Sequence, residues 1–401
     1  MLKGRLAIGQ SGGPTSVINS SLAGVIEAAR DVSDIAGVCG MRHGIEGFLA
    51  GNVIDLGAED DRTIRLLRRT PSSILGSSRH KVTDDDLPRI LERLRQYDVR
   101  YLSMIGGNDT MDTIHRVTEY AAAQGWEMCG VGVPKTVDND LYGTDHTPGY
   151  PSAARYMALS VQQAGRLARD MQKVDQFVVF QCIGRDAGWL SAATALAKRN
   201  DGDAPHLIYM PERDFDADAF LADVEATHKK HGFVYVVCGE GIKYADGTPV
   251  SASRTKDKFA NVEYGAMGGV SVAIRLHAMI SEAFGWRGEF QITESLPMSA
   301  IDRAVQQDLD EAYMCGRAAV GLAAEGRGGV MVTLVREGND PYRCTTGTAP
   351  LSDVAVRARP MPDEFINDAG NYPTEAFLDY ARPLVGELPE FADLKSIQVG
   401  G

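Results

Sequence analysis

Three short stretches, each placed where an apolar strand-like run stops, constrain this chain more than anything else in it. They read Gly12-Gly13-Pro14-Thr15, Gly106-Gly107-Asn108-Asp109-Thr110 and Pro134-Lys135-Thr136-Val137-Asp138-Asn139-Asp140. The first two are glycine pairs expected to open a helix. Glycine lets backbone N–H groups come close to an anion, and a helix N-terminus adds partial positive charge. The third stretch gathers a lysine and two carboxylates into one short run. Glycine cradles and a carboxylate cluster at the carboxyl ends of strands suit phosphoryl transfer in the crevice of an α/β fold.

The rest of the chain keeps the same rhythm. Apolar, β-branched runs predict strands over 5–9, 99–105, 129–133, 176–183, 233–238 and 329–335. Amphipathic patterns predict helices over 15–30, 110–123, 150–172, 269–284 and 308–324, with Thr110 as an N-cap. Pro373 is expected to open a last helix to Tyr380. Residues 201–211 read as loop and 341–362 as irregular, being rich in Pro, Gly and polar residues. Strands alternating with helices argue for a mostly parallel, doubly wound sheet, present more than once. A length of 401 residues leaves room for two or three domains.

Charge and cysteine content exclude several classes. With 41 Lys and Arg against 54 Asp and Glu, the net charge of −13 argues against a nucleic-acid footprint, so the cations of a phosphate site must be concentrated locally. The six cysteines form no C-x-x-C pair, and Cys129, Cys182 and Cys238 fall in or beside strand-like runs, as reduced thiols of a cytoplasmic protein do. No zinc site is indicated. The start of the chain lacks a signal-type apolar region, and no run is long enough to span a bilayer, so no membrane partner is expected.

The motifs differ in weight. Gly12-Gly13 alone fits a tight turn as well as a phosphate contact. Neither the G-x-G-x-x-G dinucleotide fingerprint nor the G-x-x-x-x-G-K-[ST] loop is present. Asn108 and Asp109 stand where a strand stops and a helix begins. They read either as an Asx turn with a cap or as oxygen groups near Mg²⁺, which prefers carboxylate, carbonyl and water ligands. Lys135 to Asp140 is the sharpest signal. In an extended segment, residues two apart share a face, so Asp138 and Asp140 converge. That makes a general base with an orienting partner, and a neighbouring lysine keeps one of them ionised and reaches phosphate. The plain alternative is a solvated acidic turn. Arg185, in Ile183-Gly184-Arg185, Arg79, and Glu240 between two glycines are each a surface residue or a ligand of phosphate or sugar hydroxyls. None of the eight histidines sits in a triad or metal spacing.

In this order, the motifs resemble the phosphofructokinase family, in its pyrophosphate-dependent branch. The resemblance runs from about residue 6 to about 333 and more weakly to 388, and includes Gly184-Arg185-x-x-Gly188-Trp189-Leu190. It implies two doubly wound, Rossmann-like lobes with the active site in the cleft between them. The donor lobe is expected over 1–149 plus about 304–360, the sugar-phosphate lobe over 150–303, and an extension packed on both over 361–401. By resemblance, Asp138 is the base that deprotonates the sugar 1-hydroxyl, and Thr136 and Asp140 bind the sugar and orient the base or the metal. Gly13, Arg79, Asp109 and Lys135 face the phosphoryl donor. Asn108 serves Mg²⁺ where many relatives carry aspartate. Ile183, Gly184, Arg185 and Glu240 bind the sugar phosphate. ATP-dependent relatives have glycine at the positions of Asp109 and Lys135. An aspartate repels an α-phosphate, and a lysine compensates the charge of pyrophosphate. A homodimer is the default assembly.

One region departs from the family. Relatives clamp the sugar 6-phosphate with a Gln-Arg, with His or Tyr three residues before that Arg. Here Met298 falls at the Arg and Ser295 at the His or Tyr. A methionine makes no pair with a phosphate dianion. Either Arg287 or Arg303 substitutes, or the acceptor is another sugar, sugar phosphate or polyol. A non-catalytic subunit is the alternative of another class, opposed by the retained Lys135–Asp140 motif. A dehydrogenase is opposed by the missing dinucleotide fingerprint.

Overall fold

The structure, a computed structural model, describes residues 2–251 and 271–395. Its strands are β1 (Gly4–Gln10), β2 (Ile35–Met41), β3 (Val53–Asp55), β4 (Val99–Gly106), β5 (Cys129–Pro134), β6 (Phe177–Cys182), β7 (Leu207–Tyr209), β8 (Val234–Gly239), β9 (Gly288–Ile292), β10 (Val330–Asn339) and β11 (Tyr342–Pro350). They form two sheets. The seven-stranded sheet runs β11-β10-β5-β4-β1-β2-β3 and the four-stranded sheet β7-β8-β6-β9. The second is parallel throughout. The first is parallel in its centre, with β3 and β11 antiparallel at its edges. This is the doubly wound α/β architecture expected.

Why the strands read as continuous apolar runs is clear from their surroundings: both faces of each sheet are covered by helices. In β1, Leu6 and Ile8 join one cluster with Ile18 and Leu22 of the helix Ile18–Arg30 and Cys315 and Ala319 of the helix Gln306–Ala324. Ala7 turns to the other face, with Phe48 and Met111. In β6, Val178 and Phe180 face Met157 and Val161 of the helix Tyr150–Asp170. Phe177 and Val179 face Phe220 of the helix Ala217–His231 and Leu276 of the helix Val272–Phe284. Each of the Leu, Ile, Val, Phe and Met side chains among them contributes about 1.5–3 kcal/mol when fully buried. All six cysteines are unpaired, and five are buried.

Several local expectations are corrected. Residues 341–362 are irregular only in their last part: β11 pairs antiparallel with β10, the helix Leu351–Val356 follows, and 357–362 carry no helix or strand beyond an isolated bridge at Ala358. β11 is an edge strand with one side to solvent, so its pattern is half polar and carries threonine rather than a full apolar run. The loop expected over 201–211 contains the short edge strand β7. The first helix opens at Ile18 rather than Thr15, so Gly12-Gly13 lies in a loop ahead of it. Gly107, not Thr110, caps the helix Asn108–Ala123, and Thr110 is buried in its first turn. The last helix runs Glu375–Val385 with Pro383 inside it. Of the helix expected over 269–284, Gly269 and Val270 lie outside the described residues. Among the described residues, no helix is long and apolar enough to cross a membrane.

What positions a site is the direction of the strands. β5, β4 and β1 are neighbours and parallel, so the segments after Pro134, Gly106 and Gln10 leave the same edge. Likewise β6 and β8 run in register, Cys182 beside Gly239, so the segments after them leave one edge of the second sheet.

Candidate active site

The loop after β1 is bound to a distant segment. Gly12 N donates to Ser78 O at 3.1 Å, and Ser77 Oγ donates to Gly12 O at 2.6 Å. This holds Arg79, His80 and Lys81 beside the glycines. Gly12 has φ 74, a left-handed conformation that suits glycine. A Cβ on Gly13 would lie 2.6 Å from Met298 Cε, so a side chain there would have to displace the Met298 tip. After β4, Asn108 and Asp109 occupy the exposed first turn of their helix, and Lys81 Nζ stands 3.6 Å from Asp109 Oδ1.

The segment after β5 is the most constrained. Lys135 is 3% exposed; its N–H donates to Gly106 O at 3.1 Å and its Nζ to Gly13 O at 2.5 Å. It thereby ties the ends of β5, β4 and β1 together. Thr136 Oγ1 accepts from Asp138 N at 3.1 Å, starting a tight turn. Asn139 takes the left-handed conformation, φ 57, between the two aspartates, and both of these line the cleft. Burial, then the charges of Asp140 and Glu240, push the Asp138 carboxyl up to about 7, against Arg185 and Lys135. Burial also raises Asp140. Lys135 goes the other way: burial lowers it to about 8, although Asp138 and Asp140 oppose the fall. Buried ionisable groups set against each other in a cleft are what general acid–base chemistry near neutral pH requires.

The opposite wall starts after β6. Gly184 has φ 138 and Arg185 φ 40. Their N–H groups donate to Glu240 Oε1 at 3.2 and 3.1 Å. Glu240 therefore spends one oxygen on shaping this turn. The Arg185 carbonyl presses on Gly241, where a Cβ would lie 1.6 Å from it. Among the described residues, the guanidinium groups of Arg79 and Arg185 have no carboxylate within ion-pair distance. Two such guanidinium groups in an acidic protein await an anion.

These walls enclose a cleft of about 620 Å³. It is lined by every site residue singled out from the sequence: Gly13, Arg79, Asn108, Asp109, Lys135, Thr136, Asp138, Asp140, Ile183, Gly184, Arg185 and Glu240. Ser295 and Met298 line it too. The Met298 tip reaches across to Gly13, so it lies against the donor loop. Arg287 and Arg303 do not line the cleft; Arg287 Nε pairs with Asp175 at 2.9 Å, and Arg303 donates to Ser160 Oγ at 3.0 Å.

Sequence reasoning misses His80, Lys81 and Glu294, which also line the cleft. The run Arg79-His80-Lys81, three basic groups in an acidic chain, is the available signal. Glu294 has none: its place depends on a backbone with φ 44.

Among the described residues, no three His, Cys, Asp or Glu side chains cluster as a metal cage. Asn108, Asp109, Asp138 and Asp140 do line the cleft, and their oxygens are of the type that Mg²⁺ takes, usually one or two carboxylates together with the phosphates of a substrate.

The chain is similar to known proteins. The phosphofructokinase family profile matches residues 5–290. The pyrophosphate–fructose 6-phosphate 1-phosphotransferase of Halomonas elongata is 39% identical over 383 residues, covering 94% of this chain and 90% of that protein. The sulfofructose kinase of Alkalicoccus urumqiensis is 32% identical over 371 residues, covering 92% and 93%. The crystal structure of a pyrophosphate-dependent phosphofructokinase from Nitrosospira multiformis matches with a TM-score of 0.87 at 35% identity, covering 98% of this chain and 95% of that one. With the fold, the cleft and these relatives in agreement, the chain belongs to the phosphofructokinase family.

Proposed function

We propose that this protein is a phosphotransferase that moves a phosphoryl group from pyrophosphate to the 1-hydroxyl of fructose 6-phosphate, reversibly. The observation that carries the reading is the carboxylate pair Asp138 and Asp140, both buried in the cleft and both raised by that burial, at the meeting of a cationic cradle and a second wall. Asp138 takes the proton of the sugar hydroxyl, and Asp140 and Thr136 orient it. Lys135, Arg79 and the backbone N–H of Gly13 hold pyrophosphate. Asp109, at the mouth of the donor side, leaves no favourable place for the α-phosphate of a nucleotide. Arg185, with Ile183, Gly184 and the free oxygen of Glu240, holds the sugar phosphate. Catalysis is positioning and charge stabilisation, without a covalent intermediate. Asn108 is the residue that serves Mg²⁺, whose chemistry is to neutralise phosphate charge.

The proposed lobes are 1–149 with about 304–360 for the donor and 150–303 for the acceptor, with 361–401 packed across them. A cytoplasmic homodimer completes the reading. The test is an assay of the purified protein with fructose 6-phosphate and Mg²⁺, with pyrophosphate or ATP as donor. Turnover with pyrophosphate is expected, and faster turnover with ATP overturns the reading. A second reading keeps the donor chemistry and changes the acceptor. It rests on Met298, which supplies no charge where relatives carry arginine, and on the relative named for sulfofructose. A panel of sugars and sugar phosphates separates the two.

A further inference from the structure

The turn that carries Asp138 and Asp140 is held from far away in the sequence. Asn139, between them, is fully buried and left-handed. Such a conformation persists in a non-glycine residue when its surroundings over-determine it. Two contacts do so. Thr147 N donates to Asn139 Oδ1 at 3.0 Å, which fixes the orientation of the amide. Asn139 Nδ2 then faces the hydroxyl of Tyr380, 241 residues away, and donates to it at 2.9 Å. The hydroxyl accepts from Asn139, so its own proton goes to Asp145 O, 2.9 Å away.

Tyr380 is itself immobilised. It sits on the helix Glu375–Val385, with its ring 5.4 Å from that of Trp189 and the Arg336 guanidinium 4.5 Å above it. Arg336 also donates to Tyr380 O and bridges to Asp145. Arg359 N donates to Asp140 O at 2.7 Å, and its guanidinium bonds Thr144 O and Asp145 O. The C-terminal segment thus encloses the backbone of 139–147 on the side away from the cleft.

We propose that Tyr380 is a positioning residue for the reaction: through Asn139 it holds the turn in the shape that aims both carboxylates into the cleft. The inference rests on the proposed function for its kinetic readout only. The experiment uses the full chain and the variants Tyr380→Phe, Asn139→Gly and both together. Phenylalanine keeps the ring packing, and glycine adopts the left-handed backbone without the amide. For Tyr380→Phe we expect kcat to fall by about tenfold or more, while KM for pyrophosphate stays within about twofold, because misaimed groups affect the transition state. Amide hydrogen exchange over 138–147 should rise by about tenfold, with β4 and β5 unchanged. The double variant should be no slower than Asn139→Gly alone, the non-additivity expected of residues acting as one unit.

Normal kcat and normal exchange in Tyr380→Phe overturn the proposal. So do losses that multiply in the double variant, or a loss confined to KM. If Tyr380→Phe does not fold, Asn139→Gly decides, and a wild-type kcat in it overturns the proposal. Inactivity of the unaltered protein toward pyrophosphate and fructose 6-phosphate removes the proposed function instead, and the exchange measurement still tests Tyr380.

Discussion

The two walls of the cleft are built alike and charged differently. Both lie at the carboxyl edge of parallel strands, and both use glycine and left-handed backbone to make a tight turn fixed by hydrogen bonds to a distant segment. The donor wall carries Arg79, His80, Lys81 and Lys135. The acceptor wall, among the described residues, carries Arg185 beside Glu240 and Glu294, with Ser295 and Met298. Under the proposed function, the difference assigns the pyrophosphate to the first wall and the recognition of the sugar to the second. A pyrophosphate needs several cations; a sugar needs hydrogen-bonding groups and one charge at most.

The comparison breaks first at the aspartate between the walls. Asp138→Asn should lower kcat by roughly 10²–10⁴, the range for a lost general base, with circular dichroism unchanged. A near-normal rate removes Asp138 from the mechanism. Next is the acceptor wall. Arg185→Ala should raise KM for the sugar phosphate by about 10–150-fold, the equivalent of roughly 1.5–3 kcal/mol for a charge-assisted bond, and leave KM for pyrophosphate nearly unchanged. An equal effect on both substrates erases the division into walls.

Smaller effects sharpen it. Asp109→Gly should raise the ratio of ATP to pyrophosphate turnover by about tenfold, by removing a charge that repels the α-phosphate; an unchanged ratio assigns donor choice elsewhere, with Lys135 as the next residue to change. The pH profile of kcat/KM should be a bell. Activity rises as Asp138 loses its proton near 7 and falls as Lys135 loses its own near 8. Because the Asp140 charge opposes ionisation of Asp138, Asp140→Asn should move the acid limb to lower pH. A limb that stays in place uncouples the pair. Smallest is Met298→Arg. Since Met298 lies against Gly13, the new charge should tighten pyrophosphate a few-fold. A gain for fructose 6-phosphate instead shows that this position faces the acceptor.

Much of the site is legible because its residues come in short runs at strand ends. Lys135 to Asp140 needs only the rule that neighbouring parallel strands deliver their succeeding loops to one edge. Arg79-His80-Lys81 shows in the sequence only as a basic run without a place, since hydrogen bonds from Gly12 and Ser77 are what bring that segment against the glycines. The C-terminal part is the least legible. β11 carries no sign of a strand in its pattern, because an edge strand has one wet face and shows no apolar run.

From the sequence alone came the α/β class, the carboxylate pair, the glycine cradles and the family, because each is written in local pattern or spacing. Only the tertiary structure decided which way Met298 points, that Glu240 gives one oxygen to the turn at Arg185, and that Lys135 ties three strand ends together through Gly106 and Gly13. Only it joined Tyr380 to Asn139. Those facts depend on contacts between residues far apart in the chain. Such contacts form when buried surfaces close on one another, and no local pattern records which distant hydroxyl will meet a buried amide.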